Sequence, residues 1–131
     1  MPRPPAHVTE TELAVLEVLW EEGSATIRTI TDALYPEGGT SHYATVQKLL
    51  ERLEAKKFVR RDRKHIPHRF KARVTREKLI SSRLRDVADA LCGGSLSPLL
   101  THLVESSRLS EDEIALLRKL VAKRSNRGGR A

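Results

Sequence analysis

The chain has a single cysteine, Cys92, and so little aromatic residue (4%) that Leu, Val, Ile and Ala must fill any interior. One thiol excludes an intramolecular disulfide framework and agrees with a reducing, cytoplasmic compartment. No apolar run approaches the roughly 20 residues of a membrane span. The opening Met1-Pro2-Arg3-Pro4-Pro5 leads into no apolar segment of the signal-peptide kind, so no direct membrane insertion is expected. Catalytic parts are also missing. No nucleophile–base spacing, phosphate loop or metalloprotease motif is present, and an enzyme is not expected. Five histidines include His65 and His68, but a strand-turn pair without further Cys or acids falls short of the three or four ligands a metal needs. No cofactor is expected either.

What the chain does have is positive charge in one place. The formal net charge is +7, and residues 40–76 hold 12 bases against 3 acids, whereas residues 1–39 hold 2 against 7. Such clustering points to nucleic acid more than to a uniformly solubilised surface. The cluster begins on a segment with two incompatible faces. Val46, Leu49, Leu50 and Leu53 recur at i, i+3, i+4 and i+7, the apolar stripe of a helix. Its other side carries Ser41, Ala44, Thr45, Lys48 and Arg52, with Glu51 and Glu54 toward the flank.

Residues 1–8 are Pro-rich and read as a flexible arm. Thr9 with Glu12 forms a capping box that opens a helix to about Glu22, closed by Gly23. In it Trp20 reads as core. A short helix follows from about Thr26 to Leu34, and Gly38-Gly39 turns the chain into the two-faced third helix. Beyond Lys57 the period changes to two. Phe70, Ala72 and Val74 alternate with Arg69, Lys71 and Arg73, a half-buried strand that pairs with Phe58-Val59 and the run Arg60-Arg61-Asp62-Arg63 around a turn at Lys64–Pro67. Helix, turn, polar helix and basic hairpin make a winged helix-turn-helix over residues 9–75.

Residues 76–122 read as a helical dimerisation region, giving a mainly α chain with a small β-wing. Thr75 caps a helix from about Arg76 to Leu91 whose seam is Ile80, Leu84, Val87 and Leu91. Ser97, as an N-cap before Pro98, opens a short helix bearing Leu99, Leu100 and Leu103. Ser110 with Glu113 opens another to about Ala122, with Leu117 on its apolar side. Helices of these lengths cannot enclose a core alone, so the seams point to a homodimer. Residues 123–131 read as a basic disordered tail.

On this reading Thr45 and Lys48 face base edges of double-stranded DNA while Ser41, His42, Tyr43 and Arg52 hold phosphates at the margin. Tyr43 fits equally a core position near the helix start. Arg61, Arg63, Lys64, Arg69 and Lys71 on the wing add salt-dependent affinity. The alternative is a non-specific architectural or protein-interaction module on the same fold.

Glu17-Val18-Leu19-Trp20, the run Tyr43-Ala44-Thr45-Val46-Gln47 through Leu50–Lys57, the basic hairpin, and Leu91-Cys92-Gly93-Gly94-Ser95-Leu96-Ser97 together resemble the BlaI/MecI family of penicillinase repressors. The similarity covers about residues 8–122. It implies a winged-helix dimer that represses a promoter and is released when a membrane-bound sensor protease cleaves it. By position the scissile bond falls at His102-Leu103, where staphylococcal members have Asn-Phe. Copper-responsive relatives carry paired C-terminal cysteines that this chain lacks. The family pattern also has Gly near Lys57, so a different helix cap is expected there.

Overall fold

The computed structural model describes residues 7–106 and 109–128, the last two of these by backbone alone. Six helices and three short strands follow in the order α1 (Glu10–Glu22), β1 (Ala25–Thr26), α2 (Ile27–Leu34), α3 (Thr40–Ala55), β2 (Val59–Asp62), β3 (Arg69–Ala72), α4 (Arg76–Leu91), α5 (Ser97–Glu105) and α6 (Glu111–Gly128). They form two compact units that divide between Leu79 and Ile80.

The first unit is a winged helix. Its helix starts are set by side chains that satisfy the first free amides. The Thr9 hydroxyl accepts from the Glu12 amide at 3.2 Å and Glu12 accepts from the Thr9 amide at 3.0 Å. Thr26 accepts from the Thr29 amide at the head of α2. The α3 stripe Val46, Leu49, Leu50 and Leu53 is buried together with Val15, Leu16, Leu19, Ile30, Val59 and Phe70 in one apolar core. Trp20 packs at its edge, its indole N–H donating to the Val74 carbonyl at 2.8 Å.

The sheet order is β1-β3-β2, all antiparallel, with Ala25 opposite Phe70 on one side and Val59 opposite Ala72 on the other. Strand β1 is an addition to the expected elements: the second helix does open at Thr26, its N-cap, but Ala25 and Thr26 also form a strand. Its two residues become a strand by pairing with β3, far along the chain. The pairing seals Ala25 and Phe70, neither of which is exposed at all.

Two expectations for the ends of the chain are corrected. The flexible arm was placed at residues 1–8, of which 1–6 lie outside the described residues; Val8, however, belongs to the core, and the His7 carbonyl accepts from the Lys56 ammonium at 2.6 Å. Apolar burial and a charge-assisted hydrogen bond hold this part of the arm. The same ammonium meets the Glu12 carboxylate at 2.7 Å, and Glu12 is fully buried. Burial pushes the Glu12 pKa up, but the Lys56 and Thr9 hydrogen bonds outweigh it and hold the group below its ordinary value. At the other end α6 continues to Gly128, where a tail was expected from residue 123; residues 129–131 lie outside the described residues.

At the end of the first unit Thr75 accepts from the Lys78 amide near the head of α4, and in the second unit Ser110 and Glu113 form the capping box of α6. Ser97 is the first residue of α5 rather than its N-cap; its amide donates to the Ser95 hydroxyl at 3.2 Å. Among α4, α5 and the described side chains of α6, Ala88 alone is buried.

The end of α3 did not change its cap in the way the Lys57 substitution suggests. Lys57 has φ 69°, its amide donates to the Glu54 carbonyl, and the Phe58 amide donates to the Leu53 carbonyl. That is the left-handed termination glycine ordinarily supplies, adopted here by a lysine against its Cβ sterics. Lys57→Gly should therefore raise unfolding stability by about 1 kcal/mol in urea denaturation. A neutral or destabilising result would show that the lysine side chain compensates for the backbone cost.

Candidate nucleic-acid interface

Burial of its apolar stripe leaves α3 with an outward face on which Ser41, Ala44, Thr45, Lys48 and Arg52 are all exposed, as is Glu51. The Thr45 hydroxyl donates to the Ser41 carbonyl at 3.1 Å, which fixes its rotamer while leaving the oxygen able to accept.

The head of α3 is shaped by aromatic rings. Gly38 and Gly39 have φ 88° and 116°, and a Cβ on Gly39 would lie 3.0 Å from the His42 ring. That space lets His42 stack flat on Tyr35, with ring centroids 4.0 Å apart. Tyr43 is not a core residue: it is 38% exposed, with the Arg28 guanidinium 5.7 Å from its ring centre.

The five wing cations expected to meet DNA separate into two groups. Arg61 and Arg63 reach the Glu54 carboxylate on α3 at 3.1 and 3.8 Å, and Arg61 also lies over the Phe70 ring. Arg69 donates to the Ser24 hydroxyl and carbonyl at 3.1 and 3.2 Å. Arg61 and Arg69 hold the hairpin to α3 and to the segment before β1, while Arg63 keeps its side chain 66% exposed. Lys64 and Lys71 are exposed. At the tip, Asp62 accepts from the Lys64 amide at 2.9 Å and sits 3.5 Å from His65. The Lys64 amide, with His65 and Lys64 close by, holds the Asp62 carboxyl below its ordinary pKa.

Between α2, α3 and the wing runs a half-open groove of about 910 Å³, lined by Arg28, Tyr43, Gln47, Arg61, Ile66 and His68 among others. Arg28 and Gln47 were not among the expected contacts. Arg28 is the one base between Arg3 and Lys48, a lone cation in an acidic stretch, and that isolation was its signal in the sequence.

Of the residues expected at a dimer seam, Ile80, Leu84, Val87, Leu91, Leu100, Leu103 and Leu117 are exposed and Leu99 is half-buried. His102 and Leu103 lie on α5, none of whose residues is buried. Among the described residues no three His, Cys, Asp or Glu gather as metal ligands, and no helix is long and apolar enough to cross a membrane.

A winged helix whose third helix is buried on one side and presents hydroxyls and cations on the other defines the class: a DNA-binding domain joined to a helical unit. The family model of the penicillinase repressors matches residues 8–123, and the chain belongs to that family, one of transcriptional repressors rather than enzymes. It is 33% identical over 113 residues to the transcriptional regulator BlaI of Mycobacterium tuberculosis, covering 85% of this chain and 80% of that protein. An uncharacterised 16.5 kDa protein of Latilactobacillus sakei is 24% identical over 115 residues, 88% of this chain and 78% of that one. Among solved structures, a MarR family protein from Bacillus stearothermophilus superposes with a TM-score of 0.48 at 21% identity, over 95% of this chain and 78% of that one.

The division of the wing cations has a measurable consequence. Each exposed cation that meets a phosphate displaces condensed counterions. Replacing Lys64 and Lys71 together by Ala should flatten log K against log salt by about two units per protomer. Arg69→Ala should leave that slope unchanged. A slope that answers to Arg69 instead would mean the hairpin reorients on DNA.

Proposed function

We propose that the chain represses transcription as a homodimer, placing α3 of each protomer in the major groove of one half of an inverted-repeat operator. The observation that carries this reading is the outward face of α3, which is exposed and polar along the length that its buried stripe pins to the core. Thr45 and Lys48 read base edges; Ser41, Tyr43 and Arg52 bind phosphates at the margin. His42 supports the head of the helix through its stack on Tyr35 and borders the same phosphates.

The dimer is supported by the second unit. Ile80 is 53% and Leu91 80% exposed, and Leu84, Val87, Leu100, Leu103 and Leu117 accompany them. An apolar surface of this extent marks an interaction site. Burial of such side chains contributes roughly 1.5–3 kcal/mol each, and a second copy supplies the same surface in return. Two linked half-site contacts then gain affinity by avidity.

Release by a membrane-bound sensor protease, working on the cytoplasmic side, fits the placement of His102-Leu103. Helix α5 has no side-chain hydrogen bond at its N-cap, and a short helix of this kind opens locally at low cost. A cut there removes α6 and part of the seam, so dimerisation and avidity fall together.

One experiment tests both halves of the reading. On a duplex selected by the full-length chain from random DNA, Thr45→Ala should cost about 1–3 kcal/mol and cost little on unselected DNA. Leu84→Glu should yield a monomer in sedimentation and lose affinity on the selected duplex. Equal losses for Thr45→Ala on both duplexes would remove it from base reading, and a Leu84→Glu chain that still dimerises would move the interface elsewhere.

A further inference from the structure

Helix α6 is polarised in charge along its length. Its acids, Glu111, Asp112 and Glu113, all sit in the first turn, and beyond them residues 114–131 hold six bases and no acid. Acids at a helix start and bases at its end both complement the helix dipole, but that effect falls off within the terminal turn. It accounts for the acids. It does not account for Arg118 and Lys119, which stand well before the end of the helix at Gly128.

The spacing of these bases works against the isolated helix. Lys119 and Lys123 are four apart, and the sequence continues the same step to Arg127. Positions at i, i+4 and i+8 share one face, so like charges are stacked there, an arrangement that destabilises a helix. No acid stands three or four residues from any of the three to offset it. Arg118, Lys119, Lys123 and Arg124 are exposed and take part in none of the ion pairs among the described residues. Ile114, Leu117 and Val121 mark the other side of the helix by their spacing. A row of cations with no acids between them, backed by an apolar stripe, fits a surface that carries a row of negative charge.

We propose that the face of α6 marked by Lys119 and Lys123, and continued in sequence by Arg127, binds the phosphate backbone of duplex DNA as a second contact, separate from that of α3 and the wing. A duplex offers one negative charge per about 1.7 Å of its axis, in regular rows. A helix presents positions four apart in steps of about 6 Å along its own axis, so the cations meet a continuous run of phosphates. An acidic protein segment also offers charge, but a duplex is already held by the chain, which gives phosphates a high effective concentration near it. Contacts of this kind add affinity and read no sequence. The phosphates have two sources, the flanks of the operator or a second duplex. The first extends the site beyond the half-sites; the second makes the repressor a bridge between DNA segments.

This inference rests on the proposed DNA reading, and the test keeps the two apart. Binding of the full-length chain is measured against salt on a selected duplex trimmed to its footprint, and on the same duplex lengthened at both ends with unselected sequence. A flank contact makes log K fall more steeply with log salt on the lengthened duplex, by about two to three units per protomer. A bridging contact shows instead as capture of a labelled, unselected duplex by protein held on the trimmed one. Lys119→Gln, Lys123→Gln and Arg127→Gln together should abolish whichever effect the unaltered chain shows, and leave affinity and sequence preference on the trimmed duplex unchanged. Lys119 and Lys123 are exposed and Gln suits a helix, so the variant keeps its fold, which circular dichroism and sedimentation check. Equal slopes on both duplexes with no second duplex captured, or an effect that survives in the triple variant, overturns the proposal and leaves the row to an acidic protein. A chain that selects no duplex over random sequence overturns the operator reading instead; a salt slope on random duplex that flattens in the triple variant would still support the contact by α6, and an unchanged slope would overturn it.

Discussion

The architecture depends on one helix being pinned along one side only. Val46, Leu49, Leu50 and Leu53 bury the inner stripe of α3 against α1, α2 and the sheet, and among the described residues the opposite face, with Ser41, Thr45, Lys48 and Arg52, is exposed. Each such burial contributes roughly 1.5–3 kcal/mol, so the helix cannot rotate without exposing several of these side chains at once. Thr45 and Lys48 are thus presented at an angle set by leucines they never touch. The Glu12–Lys56 pair adds a second anchor at the far end of α3, joining it to the head of α1 and to the His7 carbonyl. A helix fixed at its end and along its length is a rigid element, the kind that positions a reading surface well.

The wing extends this logic. Its arginines look in composition like phosphate contacts, yet Arg61 pairs with Glu54 at 3.1 Å and registers the hairpin against α3. The second unit differs: among its described side chains Ala88 alone is buried.

Much of this was legible in the sequence wherever the cause is local. The Thr9–Glu12 and Ser110–Glu113 boxes marked helix starts because capping involves residues three apart, and the α3 stripe declared its buried side by period alone. What escaped is non-local. Strand β1 exists only through its pairing with β3, and Val8, ahead of the first helix, joins the core. The partition of the wing cations needed the positions of Glu54 and Ser24, which spacing does not reveal. Lys57 misled in another way: a residue type that disfavours left-handed backbone adopts it because the packing of Leu53 and Val59 on either side dictates the turn.

The central claim is that two such helices read one duplex together. Hydroxyl-radical footprinting of the full-length chain on a duplex it selects from random DNA measures this directly. The account predicts two protected segments on one face of the DNA, related by an inverted repeat and centred about one helical turn, or a whole number of turns, apart. A single protected half-site, at concentrations where the chain is fully bound, would contradict it.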